Sequence, residues 1–207
     1  EWIVEADARR AMRLEEAKRC MDVVARIGGT RIAAPPAGAT KEPLTDLRRI
    51  AERYRALLEL GDRMGVVPQV EVWGGSKTLS RLSEAVFVAA ESGHPKACVL
   101  ADTYHLHRGG SPIDGLRLLG PGAMFAMHLN DYPADPPRET ITDAHRVYPG
   151  DGVAPLGDVF RILRDIGFRG MLSLELFNRD LWAQDPRAVA KTGLEKMRAA
   201  VRKALAG

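Results

Sequence analysis

The segment "FAMHLND" (residues 125–131) joins an apolar run to polar side chains, and this junction decides how the chain is interpreted. Its first three residues have the character of a buried strand, and His128 follows them directly. Asn130 and Asp131 come right behind. Polar residues at the end of an apolar strand are typical of folds that collect functional side chains at the carboxyl ends of their strands. We therefore interpret His128 as a functional residue.

Apolar runs of the same kind recur along the chain, and amphipathic segments separate them. Short, near-continuous apolar runs are typical of parallel strands covered on both faces. We predict strands over 30–35, 66–73, 97–102, 124–129 and 171–177. We predict helices over 44–61, 78–92 and 156–166, and a last helix that opens with Asp185 and Pro186. This alternation predicts an α/β fold with a parallel sheet.

Two parallel-sheet architectures compete for this pattern. A doubly wound sheet that binds a dinucleotide needs a glycine-rich turn after a strand, and "WGGSKT" (73–78) lacks the required spacing. A (β/α)8 TIM barrel instead predicts functional residues at the ends of several different strands. The second pattern is the one present here, so the sequence favours the TIM barrel.

Four predicted strands end in a side chain that can bind a metal ion. These side chains are Glu71, Asp102, His128 and Glu175. One such residue alone is more often a helix cap, a salt-bridge partner or a structural histidine. Four at converging strand ends would repel and lose hydration without a cation. The set predicts one divalent ion, with Mn²⁺, Mg²⁺ or Co²⁺ favoured by the oxygen-rich ligands and Zn²⁺ left open.

Several motifs around these residues resemble a known family. They are "DTYH" (102–105), "HLND" (128–131), "RVYPGDG" (146–152) and "GFRGMLSLELFN" (167–178). Together they resemble the xylose isomerase-like TIM barrels, the sugar phosphate isomerases and epimerases, and most of all the inosose isomerase branch. The resemblance covers nearly the whole chain.

The resemblance implies roles for individual residues. It implies that the four residues above are the metal ligands, and that Glu71 and Glu175 also act as acid and base on opposite faces of the substrate. It implies that His105 and Arg146 contact the substrate. Trp73 follows the first ligand closely and is interpreted either as an apolar wall of the pocket or as packing against a loop.

The implied activity is isomerisation or epimerisation of a ketose or an inosose-like cyclic polyol ketone by proton abstraction next to the carbonyl. Lys77 stands where some epimerases of the family carry a further glutamate, which argues against a ketohexose epimerase. Two alternatives stay open. One is a metal-dependent dehydratase of a cyclic hydroxyketone such as dehydroshikimate, and the other is a non-catalytic sugar-binding barrel.

Composition and charge limit the classes of partner that the protein is expected to bind. The 207 residues carry a net charge of +3 without a basic stripe, so we expect no nucleic-acid partner. No apolar stretch reaches membrane-spanning length, and "EWIVEADARR" lacks the features of a signal peptide. Cys20 and Cys98 are expected to be free thiols, which fits a cytoplasmic protein. We expect a small-molecule sugar or cyclitol substrate and leave a homo-oligomer open.

Strand number raises a question about the extent of the barrel. We predict a single domain over 1–207 with five strands, whereas the family has eight. The segment "EWIV" (1–4) is interpreted as the possible tail of a further strand. The expectation is a barrel that lacks its N-terminal two to three strands in this chain.

Overall fold

Strands and helices alternate along the chain in the computed structural model, which describes residues 1–44 and 46–206. The chain divides into two compact units, Glu1–Leu100 and Ala101–Gly207. The strand β3 (Val99–Asp102) begins in the first unit and ends in the second. Among the described residues, no helix has both the length and the apolar character that a membrane span requires.

The first unit contains helices on a parallel sheet. Its strands are β1 (Arg31–Ala34), β2 (Val67–Glu71) and the start of β3, in that order, with Arg31 in register with Val67 and Glu71 in register with Leu100. Its helices are α1 (Asp7–Arg26), α2 (Leu47–Met64) and α3 (Leu82–Glu91).

Local sequence explains how α2 is placed in this unit. The Asp46 side chain accepts hydrogen bonds from the first backbone N–H groups of the helix, and Gly65 ends it in the left-handed conformation. The buried Tyr54 hydroxyl donates to the carbonyl of Pro68 at 2.8 Å. The Tyr54 hydroxyl oxygen also accepts a hydrogen bond from the backbone N–H of Cys98 at 3.3 Å. One helix side chain thus connects β2 to the chain entering β3.

The second unit repeats the pattern. Its strands are the end of β3, β4 (Met124–Leu129) and β5 (Met171–Leu174), in that order, and His128 is in register with Ser173. Its helices are α4 (Thr103–Gly109), α5 (Leu156–Asp165), α6 (Arg179–Trp182) and α7 (Pro186–Leu205), with 3-10 turns at Ile113–Leu118 and Asp143–His145. Helices α5 and α7 pack against each other.

The five predicted strands are present, and most of them are shorter than predicted. β5 ends at Leu174, although the Glu175 N–H still donates to the Leu129 carbonyl at 3.3 Å. The predicted start of the last helix is confirmed, since Asp185 caps it and Pro186 is its first residue.

The structure of the first 26 residues differs from the prediction in two places. The segment 1–4 forms a turn rather than the tail of a strand, and the Trp2 indole donates to the Pro35 carbonyl at 2.8 Å. The helix α1 was not predicted, because its apolar residues lie on more than one face: Met12 and Val23 are exposed, and only Met21 is buried.

Candidate functional site

Three of the four predicted ligands lie in the second unit, and the structure brings them together. His128 Nδ1 is 3.3 Å from Glu175 Oε2 and 3.9 Å from Asp102 Oδ2. Asp102 is fully buried, whereas His128 and Glu175 are partly exposed. Each comes from the carboxyl end of a strand, which explains why residues distant in sequence meet here.

Local hydrogen bonds fix the orientation of Asp102. Its Oδ1 accepts from the backbone N–H of His105 at 2.8 Å and so caps α4. Its Oδ2 accepts from the Asn130 side-chain amide at 2.9 Å. The Asn130 Oδ1 accepts in turn from the Tyr104 N–H at 2.9 Å. Two buried side chains therefore satisfy the first N–H groups of α4, and Oδ2 is directed towards the cluster.

A buried arginine adds a fixed positive charge. The Arg146 side chain has no solvent exposure, and its Nη1 donates to Glu175 Oε2 at 2.7 Å and to Asp102 Oδ2 at 3.1 Å. Its Nη2 contacts Asp143 and lies 3.0 Å from His105 Nε2. The guanidinium thus holds both carboxylates and the imidazole of His105 in one network.

Aromatic rings complete the surroundings of this guanidinium. It lies over the rings of Tyr104 and Phe177, with centroid distances of 4.5 and 5.0 Å. Such cation–π contacts are stabilising in a desolvated site. Arg146 therefore lies against two of the predicted ligands, and its predicted contact with substrate stays a prediction.

The two carboxyl groups differ in their electrostatic surroundings. Burial raises the pKa of Asp102 to about 6, although the charge of Arg146 works in the opposite direction. Burial also works to raise the pKa of Glu175, but the bonds and charges of His128 and Arg146 outweigh it and hold that pKa to about 2. Glu175 is therefore the carboxylate that is ionised throughout the neutral range.

The protonation state of His105 follows from its arginine neighbour. Burial, followed by the charge of Arg146, lowers the pKa of His105 to about 3. Arginine has no acceptor, so His105 Nε2 must accept from Arg146 Nη2. The neutral imidazole then carries its proton on Nδ1. Nδ1 is then the donor atom of this imidazole, and the predicted contact of His105 with substrate stays a prediction.

Glu71 and Trp73 belong to the first unit. Glu71 is the last residue of β2 and is 3% exposed. Trp73 is partly buried, and its carbonyl accepts from the Ser76 N–H at 2.8 Å in the turn that follows the strand. This backbone bond fixes Trp73 in the turn, and its predicted contact with substrate stays a prediction.

The cluster in the second unit fits a divalent ion. Metal–ligand bonds of about 2.1 Å, at angles of about 90 to 110°, separate neighbouring donors by about 3.0 to 3.4 Å. The His128–Glu175 distance of 3.3 Å lies in this range, and the His128–Asp102 distance of 3.9 Å is longer. Asp102 Oδ2 and Glu175 Oε2 already converge on one cationic nitrogen, Arg146 Nη1. An imidazole with two carboxylates is a donor set that suits Mn²⁺, Co²⁺ or Zn²⁺.

Sequence reasoning missed residues that support the ligands. Asn130 holds Asp102, and Asp143 contacts Arg146. The signal for Asn130 was present in "HLND", since an amide after a buried strand needs a partner. Asp143 gave no signal, because it lies in a polar loop segment where an aspartate is ordinary.

Comparison with known proteins places these observations in a family. The sequence model described as "Xylose isomerase-like TIM barrel" matches residues 1–200. An inosose isomerase of Bacillus velezensis is 26% identical over 193 residues, which cover 92% of this chain and 69% of the relative. A 3-dehydroshikimate dehydratase of Pseudomonas putida is 24% identical over 186 residues, which cover 89% of this chain and 29% of that protein.

A solved structure shows the same fold. The crystal structure of an IolI protein with a bound zinc atom superposes with a TM-score of 0.89 at 21% identity, covering 98% of this chain and 74% of the other. Together with the family match, this likeness confirms the predicted TIM barrel fold. The chain spans between 46 and 69% of the length of four curated inosose isomerases that it matches.

Proposed function

Because the chain belongs to the xylose isomerase-like TIM barrel family, we propose that it acts as a divalent-metal-dependent isomerase or epimerase of a ketose or cyclic polyol ketone. The observation that carries the proposal is the convergence of His128, Asp102 and Glu175 from three strand ends. Similarity to curated inosose isomerases supports a sugar or cyclitol as the substrate.

We propose Glu71 as the fourth ligand of the ion. It is in register with Leu100, two residues before Asp102 on the same strand, and residues two apart point to the same face of a strand. The zinc in the IolI structure supports a divalent ion without choosing its identity. When bound, such an ion polarises the substrate carbonyl and acidifies the neighbouring C–H.

The proposed proton transfers use residues of this chain. Glu175 is ionised at neutral pH and would take the proton from the carbon next to the carbonyl. Return of a proton to the former carbonyl carbon gives isomerisation. Return of a proton to the carbon that lost it, on the opposite face, gives epimerisation. Glu71 is the proposed acid on that opposite face.

Other residues are proposed to bind and orient the substrate. His105 would donate from Nδ1 to a substrate oxygen, because Arg146 fixes its tautomer. Arg146 would balance the charge of Glu175 and Asp102 and bring its fixed charge close to the substrate oxygens. Trp73 is proposed as an apolar wall for the carbon face of the ring.

A metal-dependent dehydratase is the second candidate, favoured by the similarity to 3-dehydroshikimate dehydratase. The first proton abstraction would be the same, and a hydroxyl group would then leave with a proton from an acid. Product analysis separates the two reactions, since only the dehydratase releases water and forms a carbon–carbon double bond.

Solvent exchange tests the isomerase proposal. The protein is loaded with Mn²⁺ and incubated in heavy water with a panel of ketoses and inososes. We expect an isomerised or epimerised product that carries deuterium on the carbon next to the carbonyl. A product formed without deuterium from solvent, through direct hydride transfer, would contradict proton abstraction.

A further inference from the structure

The carboxylate of Asp131 is buried beside the loop of residues 146–154, and the reaction described above does not use it. Its Oδ2 accepts from the Gly150 N–H at 2.9 Å. Its Oδ1 accepts from the N–H groups of Ala154 and Tyr132, each at 2.8 Å. One side chain thus binds the backbone at two points of a loop about twenty residues away in sequence.

Backbone bonds reinforce this attachment. Asp131 and Val147 form an antiparallel bridge, in which each N–H donates to the other's carbonyl at 2.9 to 3.0 Å. The Val153 N–H donates to the Tyr132 carbonyl at 2.9 Å. The loop is therefore fixed on both sides of its turn to Asp131 and Tyr132, which lie just beyond the His128 strand.

Glycines in "PGDG" allow the loop to come this close. A Cβ on Gly152 would lie 2.4 Å from Asp131 Oδ1 and 2.3 Å from the Tyr132 carbonyl oxygen. Gly150 has a φ of +94°, which side-chain-bearing residues rarely adopt. The motif is thus shaped to fit against Asp131.

Arg146 stands at the start of this loop. Its carbonyl accepts from the Asn178 side-chain amide at 3.3 Å, and the next residue, Val147, pairs with Asp131. Its guanidinium contacts Asp102, Glu175 and His105 at distances of 2.7 to 3.1 Å. Hydrogen bonds of this length weaken steeply with displacement, so the backbone position of Arg146 determines whether they form.

We propose that Asp131 is a positioning residue that places the Arg146 guanidinium against the ligand cluster by binding the backbone of the 146–154 loop. This inference rests on the proposed function only for its effect on turnover. The attachment of the loop, and its influence on metal affinity, are independent of which substrate is used.

The test compares Asp131→Asn with Asp151→Asn in the full chain. Asparagine keeps the size of Asp131 but can place an amide donor where the Gly150 N–H needs an acceptor. Asp151 lies exposed in the same turn, and its side chain pairs with Lys196, so it is the matched control. Amide hydrogen exchange of residues 147–154, Mn²⁺ affinity and kcat/KM are measured.

For Asp131→Asn we expect loop amides to exchange at least about tenfold faster, kcat/KM to fall by at least about tenfold and Mn²⁺ affinity to change by more than about twofold, with metal stoichiometry kept. For Asp151→Asn we expect all three to stay within about twofold. Unchanged exchange in Asp131→Asn would overturn the proposal. Gly152→Ala, compared with Gly122→Ala, perturbs the same attachment independently and should reproduce the Asp131→Asn result.

A double-mutant cycle separates positioning from general stabilisation. If Asp131 acts through Arg146, Asp131→Asn should change kcat/KM and Mn²⁺ affinity by no more than about twofold in an Arg146→Met background. An equal loss in both backgrounds would overturn the positioning role. If no ketose is turned over, the proposed function fails, whereas the exchange and Mn²⁺ measurements still decide the role of Asp131.

Discussion

Removal of the Arg146 charge should destabilise the metal-free protein far more than the metal-loaded protein. The side chain has no solvent exposure and donates to Asp102, which is also fully buried, and to Glu175. In Arg146→Met these two carboxylates lose their shared counter-charge. Loss of one partner from a buried ion pair costs about 3–5 kcal/mol, so we expect a decrease of that size in the unfolding free energy of the metal-free protein.

A divalent ion should replace most of this loss. It would bring positive charge to the same two carboxylate oxygens, and Arg146→Met should bind it more tightly than the unaltered protein, because Arg146 no longer competes for those oxygens. At saturation, each tenfold decrease in Kd adds about 1.4 kcal/mol to the stability of the metal-loaded variant. Urea denaturation of Arg146→Met and the unaltered protein, each with EDTA or with saturating Mn²⁺, measures both quantities. We expect the difference between the two proteins to shrink to about 1 kcal/mol with Mn²⁺.

Arg138→Met is the matched control, because Arg138 is exposed and pairs with the neighbouring Glu139. Its substitution should change the unfolding free energy by less than about 0.5 kcal/mol in either condition. A loss in Arg146→Met that is equally large with and without Mn²⁺ would refute the reasoning, since the ion would then not share the carboxylates of Arg146.

Three further predictions concern the reaction, the thiols and the packing. Glu175→Gln removes the proposed base but keeps an oxygen donor, so turnover should fall at least about a hundredfold in steady-state assays while Mn²⁺ still binds. Burial raises the pKa of the Cys98 thiol to about 11, so iodoacetamide at pH 8 should label exposed Cys20 and spare Cys98, as read by mass spectrometry. Gly170→Ala places a Cβ 2.1 Å from the Phe125 carbonyl oxygen and should lower the unfolding free energy by about 1–3 kcal/mol in urea titrations.

Each of these has a clear opposing outcome. Near-normal turnover of Glu175→Gln would remove Glu175 as the base. Equal labelling of both cysteines would contradict the burial of Cys98. The same raised pKa makes stability depend on pH. The neutral, buried thiol of Cys98 stabilises the folded state fully below the ordinary thiol pKa of 9.0, and this stabilisation is lost as the pH rises through about 11. For Gly170→Ala, the control Gly122→Ala meets nothing within 4 Å and should have little effect.

The strands were predictable because burial on both faces imposes a continuous apolar run, as in β4, whose predicted bounds 124–129 match the structure. Helix α1 was not predictable, since only Met21 is buried and the apolar side chains of Met12 and Val23 are exposed on another face. Its position depends on contacts with α2, which periodicity within α1 does not encode.

The site, like the fold, could be predicted only in part from the sequence. Asp102, His128 and Glu175 could be found because each interrupts an apolar strand at its end. The tautomer of His105 could not, because it depends on Arg146, which is 41 residues away in sequence and buried beside it. The attachment of the "PGDG" loop to Asp131 is likewise a long-range hydrogen-bond pattern with no local periodic signal.

Metal content measured on purified protein tests the central claim most directly. After dialysis against Mn²⁺ and removal of free ion, elemental analysis should find about one ion per chain in the unaltered protein and in His94→Gln. His94 is a histidine of the first unit that is bonded to Asp62, which makes it a control for loss of an imidazole. His128→Ala should retain its circular dichroism spectrum and bind almost no ion. Full metal content in His128→Ala would contradict the assignment of the site.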